Sequence, residues 1–161
     1  MRPLPFVPRA FPDEALGSWI GRLAARYRIG VSQLDADYEL GLDLSGPLAW
    51  LSPAPMSWES LERLGWLTRF PAAAISALAV EPAPVKGKGT SYCRRCVFLN
   101  PLEVESSYWK RDWLLPTASV CPIHKERLTV LPAARVRGSA NMLKLIRTVS
   151  RHEQMLKEEG C

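Results

Sequence analysis

The sequence lacks any long run of apolar residues. No stretch approaches the roughly 18 uninterrupted apolar residues typical of a membrane-spanning helix, although 47% of the 161 residues are hydrophobic. The N-terminal segment MRPLPFVPRAF contains prolines where a secretion signal would have an apolar core. These absences predict a cytoplasmic protein with no membrane partner, in which cysteine thiols stay reduced and can bind metal.

Histidine is scarce, with two residues, and the common catalytic patterns are missing. The chain has no Gly-rich phosphate loop, since GKGT at 87–90 lacks the preceding glycine at the required distance. It also has neither the H-x-E pair of a zinc deaminase nor the H-E-x-x-H pattern of a metalloprotease. We therefore predict that the chain is not an enzyme. A hydrolase or nuclease of unrecognised type is an alternative for which no residue can be nominated.

Two short pairs of metal-ligating residues are present. Cys93 and Cys96 form C-R-R-C, and Cys121 and His124 form C-P-I-H after a gap of 24 residues. Two intervening residues let both side chains of a pair point at one ion, and the two pairs together complete a tetrahedron. This spacing predicts one structural Zn²⁺ with no open position for catalysis. A disulfide or buried thiols are the alternative, but neither explains why the fourth member is a histidine.

Charge is distributed unevenly along the chain. Residues 1–83 carry a net charge of −2 and residues 84–161 a net charge of +7, which together give +5. This asymmetry favours a polyanion near the C-terminal half and a protein partner near the N-terminal half. A solvated basic surface without a ligand is the alternative interpretation.

The apolar pattern predicts a mainly α protein with a small zinc-ribbon-like β element. Residues 1–83 are predicted to form a helical, helix-turn-helix-like subdomain, and residues 84–161 a zinc-finger subdomain with a C-terminal helix. Helices are expected to begin near Asp13, after a cap at Ser32, at Ser57, at Pro71, and after a cap at Ser139. The second helix of the pair, PAAAISALA, has no Arg, Lys, Asn or Gln with which to read bases. We therefore expect this pair to serve packing or protein docking.

An aromatic segment lies between the two metal pairs. Trp109 and Trp113 are four residues apart, and we expect them to form a small core over the metal. A stacking platform for nucleic-acid bases is the alternative, because Lys110 and Arg111 are adjacent. Eight basic residues of this half are candidates for phosphate contacts: Lys86, Lys88, Arg94, Arg95, Lys110, Arg111, Lys125 and Arg127.

Two blocks of this sequence, in this order, resemble the TniQ family of transposition proteins. The first is PDEALGSWIGRLAARYRI, and the second comprises SYCRRC and YWKRDWLLPTASVCPIHKERL. The resemblance covers roughly residues 3–131. Longer members often have a second set of zinc knuckles, whereas this sequence has a single set. It is therefore most similar to the short members found in CRISPR-associated transposons, particularly those of type V-K.

The resemblance implies a target-selection adaptor that does not itself catalyse transposition. Its implied partners are a TnsC-type AAA+ ATPase and a CRISPR effector complex with guide RNA and target DNA, or another complex that marks the insertion site. A second hypothesis is a stand-alone zinc-containing helix-turn-helix regulator that binds DNA directly. The sequence leaves open whether the protein is a monomer or a dimer.

Overall fold

The computed structural model describes residues 2–80, 89–99 and 107–159. It is mainly helical and contains one two-stranded sheet. In chain order the α-helices and strands are α1 (Leu16–Arg26), α2 (Val31–Tyr38), α3 (Trp58–Thr68), α4 (Ala72–Ser76), β1 (Gly89–Tyr92), α5 (Arg94–Phe98), β2 (Thr129–Pro132), α6 (Ala133–Arg137) and α7 (Met142–Glu159). Short 3₁₀ turns cover Ala49–Leu51 and Arg111–Leu114. Among the described residues, no helix is both long and apolar enough to cross a bilayer.

Helix α1 forms the centre of the core. The side chains of Trp19, Ile20 and Leu23 are fully buried, as the apolar stripe predicts. The helix begins three residues later than predicted, because Asp13 lies in a turn and Glu14 in an isolated bridge before it. Gly17 and Gly21 let Trp50 approach α1 closely, since an added Cβ would lie 2.2 Å from the Trp50 carbonyl oxygen or 2.4 Å from its ring. The buried face of α1 therefore contacts both a tryptophan of its own, Trp19, and Trp50 of the 3₁₀ turn that follows α2.

The helix caps agree with the predictions at one position and differ at two. The Ser57 hydroxyl accepts from the Ser60 N–H at the start of α3, as predicted. Helix α2 begins at Val31, so Ser32 lies inside it and Gly30 occupies the cap. At α7 the cap is Asn141, whose side-chain oxygen accepts from the N–H of Lys144 over 3.1 Å. Ser139 is turned away from the cap, since its hydroxyl bonds to residues of α6 and α7.

The segment before α1 pairs with the aromatic segment of the C-terminal half. Glu14 and Lys110 form an isolated antiparallel bridge. The Ala15 N–H donates to the Trp109 carbonyl over 2.9 Å, and the Arg111 N–H donates to the Asp13 carbonyl over 2.9 Å. Strands β1 and β2 pair antiparallel below this bridge, with Tyr92 opposite Thr129. This pairing fixes the position of the cysteine-containing segments against α1. The division into two subdomains at residue 83 stays a prediction.

Candidate metal centre

The four predicted ligands converge on one point. Cys93 directly precedes α5 and Cys96 lies in its first turn, so one helical turn brings their sulfurs together. Cys121 and His124 lie on a tight turn closed by the Lys125 N–H, which donates to the Cys121 carbonyl over 2.9 Å. Lys125 adopts a left-handed conformation with φ of 56°, which ends the turn. Val120 and Arg127 pair as an isolated bridge that holds the two sides of this loop together.

The spacing of the donor atoms fits a tetrahedral ion. The four ligand atoms all lie within 4.8 Å of one another. His124 Nδ1 is 3.3 Å from the sulfurs of both Cys93 and Cys96 and 3.7 Å from that of Cys121, and the Cys96 and Cys121 sulfurs are 3.7 Å apart. Bond lengths in a zinc tetrahedron predict edges of about 3.8 Å between sulfurs and about 3.5 Å between sulfur and nitrogen. The group is therefore a Cys₃His cluster with the dimensions of a metal site.

The cluster contains free thiols rather than a disulfide. All three cysteines are unbridged, and 3.7 Å between the Cys96 and Cys121 sulfurs far exceeds the S–S bond length of about 2.05 Å. Burial raises the pKa of the Cys93 and Cys96 thiols. Burial also acts to raise the pKa of Cys121, but backbone N–H groups of His124 and Ile123 outweigh it and lower this pKa to about 7. A divalent cation would favour the thiolate form of all three.

An aromatic core lies beneath the cluster. Trp109 and Trp113 are 0% and 2% exposed, and their rings meet edge to face at 5.7 Å. Trp109 also contacts the ring of Tyr92 at 5.6 Å and donates from its indole N–H to the Thr90 hydroxyl over 3.2 Å. Because these faces are covered, the two tryptophans serve as the predicted core and offer no platform for base stacking.

Helix α7 is anchored to the metal-binding segment. The Tyr92 hydroxyl donates to the Glu153 carboxylate over 2.6 Å, and Arg94 lies 3.4 Å from the same carboxylate. His152, the other histidine, lies 3.1 Å from the Val130 carbonyl oxygen and outside the cluster. It has no metal partner among the described residues. The helix thus stabilises the outer side of the sheet.

The basic candidates fall into three groups. Arg94, Arg95, Lys125 and Arg127 are exposed around the metal-binding turns, although Arg95 lies 3.3 Å from the Glu126 carboxylate. Lys110 and Arg111 bond to the segment before α1: the lysine ammonium pairs with Asp13, and Arg111 donates to the Pro12 carbonyl over 2.6 Å and to the Ala77 carbonyl. Lys86 and Lys88 lie outside the described residues. Nucleic-acid contact by any of the eight stays a prediction.

A buried polar cluster that was not predicted from the sequence lies next to the bridge. Glu14 is fully buried and accepts from the Arg22 guanidinium over 2.7 Å and from the Ser18 hydroxyl over 2.8 Å. Burial raises the pKa of Glu14 to about 7, against the opposing effect of Arg22. The sequence contains a signal for this cluster, because Glu14, Ser18 and Arg22 follow one another at four-residue intervals, which is the spacing of neighbours on one face of the helix predicted to begin near Asp13.

These features define a small helical protein with a Cys₃His metal-binding element docked against its central helix. The TniQ family model matches residues 5–128 of the 161. The chain therefore belongs to the TniQ family and is a transposition-associated protein, as the two sequence blocks predicted. No curated protein matches this sequence.

Proposed function

We propose that this protein is a non-catalytic target-selection adaptor in DNA transposition. It links a TnsC-type AAA+ ATPase to an RNA-guided CRISPR effector complex, or to another complex that marks the insertion site. The observation that carries this proposal is the family match over residues 5–128, which spans both the helical unit and the metal cluster. The assignment of these particular partners comes from the resemblance to short family members.

We infer that the metal is a single structural Zn²⁺. Three thiolates and one imidazole are the donor set that selects zinc over the oxygen-preferring Mg²⁺ and Ca²⁺. Cys93, Cys96, Cys121 and His124 would fill all four positions and leave none for a substrate or a water. The ion would connect α5 to the 121–124 turn and so replace apolar core that this short segment cannot supply.

The exposed basic groups around the metal support contact with nucleic acid in the targeting complex. Arg94 and Arg95 lie on α5 between the first two ligands, and Lys125 and Arg127 follow the second pair, so all four exposed side chains flank the metal ligands. Such groups neutralise phosphates without reading sequence, and affinity then falls as salt rises. Glu126 and Glu153 lie beside two of the arginines and would weaken this attraction, because they compete for the same guanidinium groups.

The stand-alone regulator receives less support from the geometry. Helix α4, the second helix of the predicted helix-turn-helix, has five residues, Ala-Ala-Ala-Ile-Ser. None of them offers the guanidinium or amide groups that bind base edges in the major groove. We infer that α3 and α4 serve packing or protein docking.

A capture experiment tests the adaptor proposal. The purified protein is immobilised and mixed with the TnsC-type ATPase encoded in the same gene neighbourhood, with and without ATP and duplex DNA. We expect the ATPase to be retained in at least one of these conditions. No retention in any of them would show that the adaptor proposal is wrong.

A salt titration tests the basic surface. We expect the double variant Lys125→Gln/Arg127→Gln to bind duplex DNA of any sequence more weakly and to reduce the slope of log K against log salt by about 2. Arg137→Gln/Arg151→Gln is the matched control, since both residues are exposed, lie on α6 and α7, and do not adjoin a metal ligand in the sequence. Equal slopes for the two double variants would exclude a specific role for the metal-proximal pair.

A further inference from the structure

A groove of about 970 Å³ lies between the N-terminal arm, the end of α1 and the start of α7. Four arginines line it: Arg9, Arg22, Arg26 and Arg28. No aspartate or glutamate is among the described residues that form its walls. All four arginines belong to residues 1–83, so positive charge is concentrated here within a segment whose net charge is −2.

The arm that forms one wall is fixed in place by hydrogen bonds. The Phe6 N–H donates to the Tyr27 hydroxyl over 3.0 Å, and that hydroxyl donates to the Phe6 carbonyl over 2.9 Å. The indole N–H of Trp19 donates to the Pro8 carbonyl over 2.9 Å, and the Leu4 N–H donates to the Leu67 carbonyl over 2.8 Å. The groove is thus formed before any partner binds, which lowers the entropic cost of binding.

The arginines of the groove differ in how they are engaged. The side chain of Arg22 is buried and its charge is compensated by Glu14 at 2.7 Å. Arg9, Arg26 and Arg28 are exposed. These three guanidinium groups present planar, two-donor surfaces that match carboxylates. The groove consequently favours an anionic partner.

Apart from Ser107, the rest of the lining is apolar. Phe6 is 63% exposed and Leu143 is 48% exposed, and the partly buried Ile146 of α7 continues the same surface, whereas Met142 is buried. Exposed apolar side chains beside charged groups are typical of protein-docking sites. The guanidinium of Arg26 lies over one face of the Phe6 ring, 5.7 Å from its centroid. Leu143 and Ile146 have no ring on which a nucleic-acid base could stack, so their part of the surface suits apolar side chains better than it suits nucleotides.

We propose that this groove binds an acidic peptide segment of a partner protein, in which carboxylates alternate with apolar side chains. The carboxylates pair with Arg9, Arg26 and Arg28, and the apolar side chains cover Phe6, Leu143 and Ile146. The proposal rests on the adaptor function, because a bridging protein needs a pre-formed surface for a partner. It adds the chemical character of the segment that one partner must supply.

Fluorescence polarisation with labelled synthetic peptides tests the proposal on the full chain. The probe is a short peptide of repeated Glu-Glu-Leu-Leu, compared with versions that have Lys for Glu or Ser for Leu. We expect the acidic-apolar peptide to bind with an affinity that falls with salt, and both altered peptides to bind at least about tenfold more weakly. An oligothymidylate of similar charge is the nucleic-acid comparison.

Substitutions test whether the peptide binds in the groove. We expect Arg9→Gln/Arg26→Gln to weaken peptide binding about tenfold or more, and Leu143→Ser to weaken it by a similar factor. Arg137→Gln/Arg151→Gln removes the same charge from outside the groove and should leave binding unchanged. Melting temperatures equal to wild type confirm that the exposed substitutions leave the fold intact. Arg22 is left unchanged because it is buried against Glu14.

Four outcomes would overturn the proposal. The first is that the acidic-apolar peptide does not bind, and the second is that the Lys or Ser version binds as tightly as the acidic-apolar peptide. The third is that Arg137→Gln/Arg151→Gln weakens peptide binding as much as Arg9→Gln/Arg26→Gln does. The fourth is that oligothymidylate binds more tightly than the peptide and that Arg9→Gln/Arg26→Gln abolishes this binding. The capture experiment with the ATPase separates this proposal from the adaptor function. If the peptide binds but the ATPase is not captured, the adaptor proposal is wrong and the groove proposal stands. If the ATPase is captured but the peptide does not bind, only the groove proposal is wrong.

Discussion

The backbone N–H of Trp109 donates to the side-chain hydroxyl of Ser18 over 2.8 Å, although the two residues are 91 positions apart. The same hydroxyl donates to the Glu14 carboxylate. A single buried oxygen therefore joins α1, the segment before it and the aromatic core beneath the metal cluster. The N-terminal helix and the metal-binding element are coupled at this point.

Replacing Ser18 should weaken both units together. We expect Ser18→Ala to lower the free energy of unfolding by about 1–3 kcal/mol, because a buried N–H of Trp109 and a buried carboxylate oxygen each lose a partner. Chemical denaturation followed by tryptophan fluorescence measures this. Ser32→Ala is the control, since Ser32 is exposed on α2. Similar stabilities for the two variants would show that the Ser18 contact contributes nothing.

The two histidines provide a matched test of the metal site. We expect wild type and His152→Gln to contain one zinc per chain by elemental analysis, and His124→Gln to lose the metal on dialysis against a chelator. His124 Nδ1 lies with the three sulfurs, whereas His152 contacts the Val130 carbonyl. The melting temperature of His124→Gln should fall as well. Metal retained by His124→Gln, or lost from His152→Gln, would contradict the ligand assignment.

The metal cluster could be predicted from sequence because each half of it is local. Cys93 and Cys96 are separated by one turn of helix, and Cys121 and His124 by one tight turn, so spacing alone determines which side chains meet. The burial of Trp109 and Trp113 followed from their place between the two pairs.

Contacts between distant segments could not be predicted in the same way. Lys110 is a candidate for phosphate contact, and no local pattern predicted that its ammonium pairs with Asp13, 97 positions away. Nothing in the local pattern indicates that residues 13–15 pair with residues 109–111. The α7 cap was predicted at Ser139 because serine is a good cap, but Asn141 takes that role and Ser139 instead accepts the Trp50 indole N–H through its carbonyl over 2.5 Å. Both Lys110 and Ser139 make contacts with residues that are distant in the sequence, Asp13 and Trp50, and a local pattern does not indicate such contacts.

The pH dependence of stability should report the buried carboxyl of Glu14. Burial raises its pKa to about 7 in the folded protein, above the value of 4.5 expected for an unfolded chain. The folded state therefore binds the proton more tightly, so the stability that this group contributes is fully present below pH 4.5 and is lost as pH rises through 7. Relative to Glu14→Gln, which does not titrate, wild type should gain about 2 kcal/mol between pH 8 and pH 5.5.

Urea denaturation of wild type and Glu14→Gln across this pH range measures the difference. Taking the difference cancels the other titrating groups, including the thiols of the metal cluster, provided that both proteins keep their metal. A difference that does not change with pH would mean that Glu14 has the same pKa folded and unfolded. A gain for wild type on raising the pH would mean that the Arg22 ion pair outweighs burial.

Substitution of Gly17 tests the close approach of Trp50 to α1. Alanine normally favours a helix by about 1 kcal/mol over glycine, but a Cβ at position 17 would lie 2.2 Å from the Trp50 carbonyl oxygen and 2.3 Å from that of Leu51. We expect Gly17→Ala to lower the free energy of unfolding by about 1–3 kcal/mol, since backbone atoms must move to accommodate the methyl group. At Gly46 an added Cβ would meet nothing within 4 Å, so Gly46→Ala should be neutral or slightly stabilising. Urea midpoints at unchanged m-values distinguish the two, and a stabilised Gly17→Ala would show that helix propensity outweighs packing at this contact.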